Sequence, residues 1–309
     1  MPNNPVSRRR LLTGMAGSAV AFHARRLFGQ GAPAPIQSTK LTDRLYIFQG
    51  DGGNVAILTS PEGHFMVDGG LAERAADLAA AIAQVNKKPV TQLFDTHWHV
   101  DHVGSNVLLG QSGAKIIASD NTRTRLSSKQ TMEIFHRTFE PLPAAGIPGV
   151  TFHSAGKIEF AGETIEYTPV APAHTDGDTY LFFREANVLH TGDLLFNGFY
   201  PVIDYSSKGW LGGMAAAADQ MLKTVDAKTR VVPGHGPIGT QADLAAFRDM
   251  ATTLNDRFVA LVKQGKTMDE IVAAKPTRDL DDKWSKGMLK PDQFVAMAVT
   301  SITRHQQTS

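Results

Sequence analysis

The stretch Thr96–Asn106, THWHVDHVGSN, constrains this chain most, because it sets three histidines and one aspartate within the six residues His97–His102. The preceding VTQLFD reads as a buried strand, so the cluster arrives at a strand's C-terminal end. His97 and His99 stand two apart, and in an extended turn such residues point the same way. Asp101 and His102 follow at once. Packing these groups together away from water without a counter-charge is costly. A divalent cation removes that cost, since imidazole and carboxylate both suit zinc.

Three further residues occupy similar settings. His174 lies in APAHTDGD, Asp193 in HTGDLLF and His235 in VVPGHGP, each just after an apolar run that reads as a strand. Functional side chains gather where a rigid sheet opens into loops. Each alone is an ordinary loop residue; beside the His97 cluster they complete a candidate ligand set.

The rest of the chain reads as a frame for that set. Its 309 residues are 42% hydrophobic, enough for one large core or two tightly joined halves. RLYIFQG and NVAILTS flank a DGG turn as a hairpin, and HFMVDGG is a further strand. Helices are expected over 71–85, 212–225 and 244–262, with a Thr267/Glu270 capping box opening another. A short helix is expected over 129–139, followed by a proline-rich loop bordering a cleft. The class is α+β, with two sheets face to face and helices outside. The division is one domain over 35–264, which holds the whole candidate ligand set, and a C-terminal helical extension over 265–309 packed on it.

Residues 1–34 differ from all that follows. They hold five arginines, and no acidic residue occurs before Asp43. A basic start followed by a short apolar run, Leu11 to Phe22, reads as an export signal, too short to span a bilayer comfortably. Ser7-Arg8-Arg9-Arg10-Leu11-Leu12 resembles the twin-arginine export motif, which implies transient contact with that export machinery and a periplasmic or otherwise exported mature protein. The absence of cysteine excludes disulfides, thiolate ligands and a cysteine nucleophile, and suits an oxidising compartment. A formal net charge of +1 gives no argument for nucleic acid or an anionic membrane surface as partner.

His97-Trp98-His99-Val100-Asp101-His102, with His174, Asp193 and His235 in order behind it, resembles the metallo-β-lactamase superfamily. The resemblance implies a four-layer αββα sandwich with the metals at one edge between the sheets. It also implies two Zn2+ ions, although iron or manganese could use the same ligands. His97, His99 and His174 would hold one, and Asp101, His102 and His235 the other, with Asp193 bridging. Asp68 would support the ligand loop, and Asp101 would also orient a metal-bridged hydroxide and handle its proton.

The function so implied is hydrolysis of an ester, thioester, lactone or amide-like bond in a small molecule. Alternatives are an exported β-lactamase, a mononuclear iron dioxygenase of sulfur compounds, and a non-catalytic zinc-binding protein. Phe196, Phe199, Tyr200, Tyr205 and Trp210 follow Asp193 in one loop. They could form an apolar substrate wall or pack beneath the next helix.

Overall fold

The computed structural model describes residues 35–308, so residues 1–34, including the expected export signal, lie outside it. Two sheets carry the fold. The first has seven strands: β1 (Gln37–Lys40), β2 (Leu45–Gln49), β3 (Val55–Thr59), β4 (His64–Val67), β5 (Val90–Phe94), β6 (Lys115–Ser119) and β9 (Val150–Phe152), in that spatial order. A small separate hairpin, β7 (Gln130–Met132) and β8 (Arg137–Phe139), precedes β9 in the chain. The second sheet has six strands: β10 (Gly156–Phe160), β11 (Glu163–Pro169), β12 (Thr179–Phe183), β13 (Val188–His190), β14 (Arg230–Val232) and β15 (Gly239–Thr240).

Apolar runs make these strands two-faced, because successive side chains point to opposite sides. In β3, Ala56 and Leu58 enter the core between the sheets, while Val55 and Ile57 turn out towards Leu78 and Ile82 of the helix Ala75–Val85. In β12, Leu181 and Phe183 face the same inter-sheet core, while Tyr180 and Phe182 face the helices beyond. The outer helices there are Leu211–Leu222, Gln241–Lys263 and Pro291–Thr308. Both faces of each sheet are therefore covered, which makes the α+β, four-layer αββα sandwich. Among the described residues, no helix is long and apolar enough to cross a membrane.

One expected element differs. Residues 129–139 form the β7–β8 hairpin around a short turn, Glu133–Phe135, with His136 in the left-handed region at φ 50°. Met132, Phe135 and Phe139 pack about the buried Trp98, and this contact, absent from local periodicity, selects the hairpin. The Thr267 capping box is present as expected. Ile271, Trp284, Phe294, Val295, Ala298 and Ile302, all late in the chain, are buried in the same core as the second sheet's outer face.

Candidate metal centre

The site stands where parallel strands end together. Strands β4 and β5 run parallel, as do β13 and β14, so their C-terminal ends open at one edge of the sandwich. Asp68 follows β4, Thr96 and His97 follow β5, Asp193 lies in the turn after β13, and His235 follows β14. His174 comes from the loop joining β11 to β12.

Seven side chains meet in two groups, His97, His99, His174 and Asp193, and Asp101, His102 and His235. His99 Nδ1 and His174 Nε2 are 2.8 Å apart, and His174 Nε2 lies 3.3 Å from Asp193 Oδ2. Asp193 also reaches the second group, 3.1 Å from His102 Nε2 through Oδ1 and 3.5 Å from His235 Nε2 through Oδ2. His235 Nε2 is 3.1 Å from Asp101 Oδ2.

Which imidazole nitrogen faces inward is set by what the other one holds. Asp68 is fully buried and accepts from Thr96 N at 2.8 Å, Thr96 Oγ1 at 2.9 Å and His102 Nδ1 at 2.8 Å. With its hydrogen given to Asp68, the Thr96 hydroxyl accepts from His97 Nδ1 at 3.1 Å. His99 Nε2 donates to Asp204 at 3.1 Å, and His174 Nδ1 donates to the Val202 carbonyl at 2.8 Å. The outward nitrogens thus carry hydrogen, and the inward ones, His97 Nε2, His99 Nδ1, His174 Nε2 and His102 Nε2, converge. Buried His97 Nε2 has no hydrogen-bond partner in the protein. An orphaned lone pair among inward-facing imidazoles and carboxylates fits divalent cations.

Electrostatics divide the histidines into two kinds, and a cation would have to displace the protons of His102 and His235. Burial pushes His97 well below the ordinary imidazole value and His174 down to about 4, so both stay neutral, as metal ligands must. Burial also opposes charge on His102, but the Asp193, Asp68 and Asp101 carboxylates outweigh it and hold His102 well above its ordinary value. His235 rises to about 9 because Asp193 and Asp101 likewise outweigh its burial. Burial would raise Asp101, yet His102 and His235 bring it down to about 2. The carboxylates are therefore ionised and surrounded by groups that share positive charge.

Asp204 and Val202 were not visible as site residues, because each supports a histidine far away in sequence. Asp178 was missed as well. It accepts from His174 N at 2.7 Å and Thr175 N at 2.8 Å, pinning the His174 loop, and burial raises it to about 7. The Asp-x-Ser pattern of Asp204–Ser206 was the available signal, since Asp204 accepts from Ser206 N as a cap.

The five aromatic residues separate. Phe196 is buried and stacks on His235 at 5.2 Å between centroids, and Phe199 packs edge-on against it at 5.8 Å. Tyr200 is buried and stacks on Phe294 at 4.2 Å, Tyr205 lies beneath the Arg304 guanidinium, and Trp210 stacks on His305. Trp98 is buried and donates to Ser207.

Glycines let the ligand loop seat. A Cβ on Gly104 would lie 2.2 Å from Ala72 N and 2.3 Å from Gly70 O, both backbone atoms that cannot swing aside. Gly104→Ala is expected to destabilise the fold by about 3 kcal/mol, the upper end of overpacking costs. Urea denaturation would read this, and an unchanged midpoint would refute the close approach.

The metallo-beta-lactamase superfamily pattern matches residues 49–250. The chain is 21% identical over 198 residues to the metallo-beta-lactamase type 2 of Bacillus cereus, covering 64% of this chain and 72% of that one. It is 28% identical over 146 residues to the hydroxyacylglutathione hydrolase GloC of Haemophilus influenzae, covering 47% and 68%. Of solved structures, the metallo-beta-lactamase from Pontibacter korlensis superposes at TM-score 0.57 and 20% identity, over 70% of this chain and 99% of its own. A stereoselective inverting sec-alkylsulfatase from Pseudomonas sp. superposes at TM-score 0.65 and 18% identity, over 88% of this chain and 50% of its own. Both share the fold. With the family pattern spanning most of the sandwich and two histidine–carboxylate groups at its open edge, the chain belongs to the metallo-β-lactamase superfamily and carries its metal-dependent hydrolase site.

Proposed function

We propose that this protein is an exported zinc hydrolase of small molecules, acting on an ester, thioester, lactone or amide-like bond. The observation that carries the proposal is Asp193, whose two oxygens face both ligand groups at once. Five histidines and two carboxylates form the donor set, a composition that suits zinc, while iron and manganese remain chemically compatible with it. Two cations held here would supply an activated water at neutral pH and polarise the substrate oxygen. The chain's own residues would do the rest. Asp101, ionised and near the open side, would orient the attacking water and take its proton. Phe196 and Phe199 would shield the His235 side from bulk water and receive an apolar part of the substrate.

The lack of any cysteine and the presence of Asp193 support a thioester-, lactone- or ester-cleaving activity over efficient β-lactam cleavage. A panel of a β-lactam, a lactone, a thioester, an aryl sulfate and a phosphodiester tests this on purified protein, with metal measured on the same batch. Selective turnover with about two zinc ions per chain supports the reading. One iron with oxygen uptake would replace it with sulfur-compound oxidation.

Export is proposed from Arg8 and Arg9 in their SRRRLL setting. Arg8→Lys with Arg9→Lys is expected to abolish accumulation in the periplasm, read by cell fractionation. Unchanged accumulation would remove the twin-arginine route.

A further inference from the structure

We infer that the C-terminal helix Pro291–Thr308 is a positioning element for the first ligand group, acting through the loop 200–207, and that it sets metal affinity there and not at the second group. The inference rests on the two-cation reading above. Two of the three histidines of the first group take their outer partner from this one loop: His174 Nδ1 from the Val202 carbonyl and His99 Nε2 from Asp204. The histidines of the second group take nothing from it. His102 is held by Asp68, and the backbone at His235 bridges Phe196.

Apart from one short turn at Tyr205–Ser207, the loop has no regular structure to hold those partners in place. The helix supplies that order at successive points. Tyr200 stacks on Phe294 with rings 7° from parallel, Ile203 N approaches Met297 Sδ at 3.2 Å, and the Arg304 guanidinium lies 4.6 Å above the Tyr205 ring. Arg304 also makes a bidentate pair with Glu133 at 2.9 and 2.6 Å, and Glu133 N donates to Ser206 Oγ at 3.0 Å. Ser206 N and Ser207 Oγ both donate to Asp204, so the helix and the β7–β8 hairpin together grip the turn that orients His99. Outer partners fix the tautomer and direction of a ligating imidazole, and losing one weakens metal binding by about 10–100-fold.

The test is chelator competition against zinc on the full folded chain, resolving two binding constants, with circular dichroism on each variant. Asp204→Asn keeps the shape but lets an amide nitrogen face His99, and is expected to weaken one of the two sites by about 10–100-fold. Arg304→Gln acts at longer range across an exposed ion pair, so a loss of about 2–5-fold at the same site is expected. Glu133→Arg combined with Arg304→Glu is expected to recover part of that loss, since the swap restores the ion pair but not the guanidinium over Tyr205. To identify the site, Asp204→Asn is repeated in a His235→Ala background, where the first group alone can bind. Equal weakening of both sites, or a wild-type constant in Arg304→Gln whatever Asp204→Asn does, would overturn the inference. Should the wild type bind only one cation, the two-metal reading fails by itself, and the variants' affinity for that cation still decides the helix's role.

Discussion

Replacing His99 by alanine is expected to lower kcat/KM by about 1000-fold or more while leaving the chain folded. Metal stabilisation of a developing oxyanion amounts to several kcal/mol, and each 1.4 kcal/mol is tenfold in rate. His99 faces His174 at 2.8 Å on one side and Asp204 at 3.1 Å on the other. Its loss removes one ligand and leaves Asp204 still receiving Ser206 N and Ser207 Oγ, so the buried carboxylate is not stranded. The gap is lined by polar groups and can take water, which limits the cost in stability. Steady-state kinetics, zinc content and circular dichroism on one preparation would check this. Wild-type turnover from a variant shown to carry its metal would place catalysis elsewhere.

Asp68→Asn is the second change with a large expected effect, because this buried side chain orders histidines of both groups. Asparagine tolerates the left-handed backbone at Asp68, φ 61°, so the turn should survive. The amide oxygen must face Thr96 N, as the reverse would oppose two donors. The amide nitrogen then faces Thr96 Oγ1 and His102 Nδ1, where the carboxylate accepted from both. His102 Nδ1 can only accept from it, which moves the imidazole hydrogen to Nε2, the inward atom. The Thr96 hydroxyl, no longer donating to Asp68, can turn its hydrogen to His97 Nδ1 with the same result. Each group is expected to lose about 10–100-fold in metal affinity. Chelator competition against zinc measures it, with activity at saturating zinc as a second readout. Unchanged affinity would mean that Asp68 holds the loop without setting the tautomers.

The histidine–carboxylate cluster was legible because its chemistry is local. His97, His99, Asp101 and His102 are adjacent in the chain, and His174, Asp193 and His235 each follow an apolar run that ends a strand or begins its loop. The layers were legible too, since strands with apolar residues on both faces must be covered twice, as Ala56 and Ile57 are in β3. Residues 129–139 misled because a short mixed segment carries no decisive period, and the packing of Phe139 on Trp98 selects a hairpin. Asp204 was hidden because its significance depends on meeting His99, 105 residues earlier.

From the sequence alone came the kinds of donor, their order and the strand ends that deliver them, because side-chain chemistry and a two-residue period are properties of neighbouring residues. The tertiary structure decided which atoms converge. The inward nitrogen of four of the five histidines is chosen by an outer partner: Asp68 for His102, Thr96 for His97, Asp204 for His99 and the Val202 carbonyl for His174. Three of those four partners are distant in the chain, and a hydrogen bond of about 3 Å is made or lost by where whole elements pack.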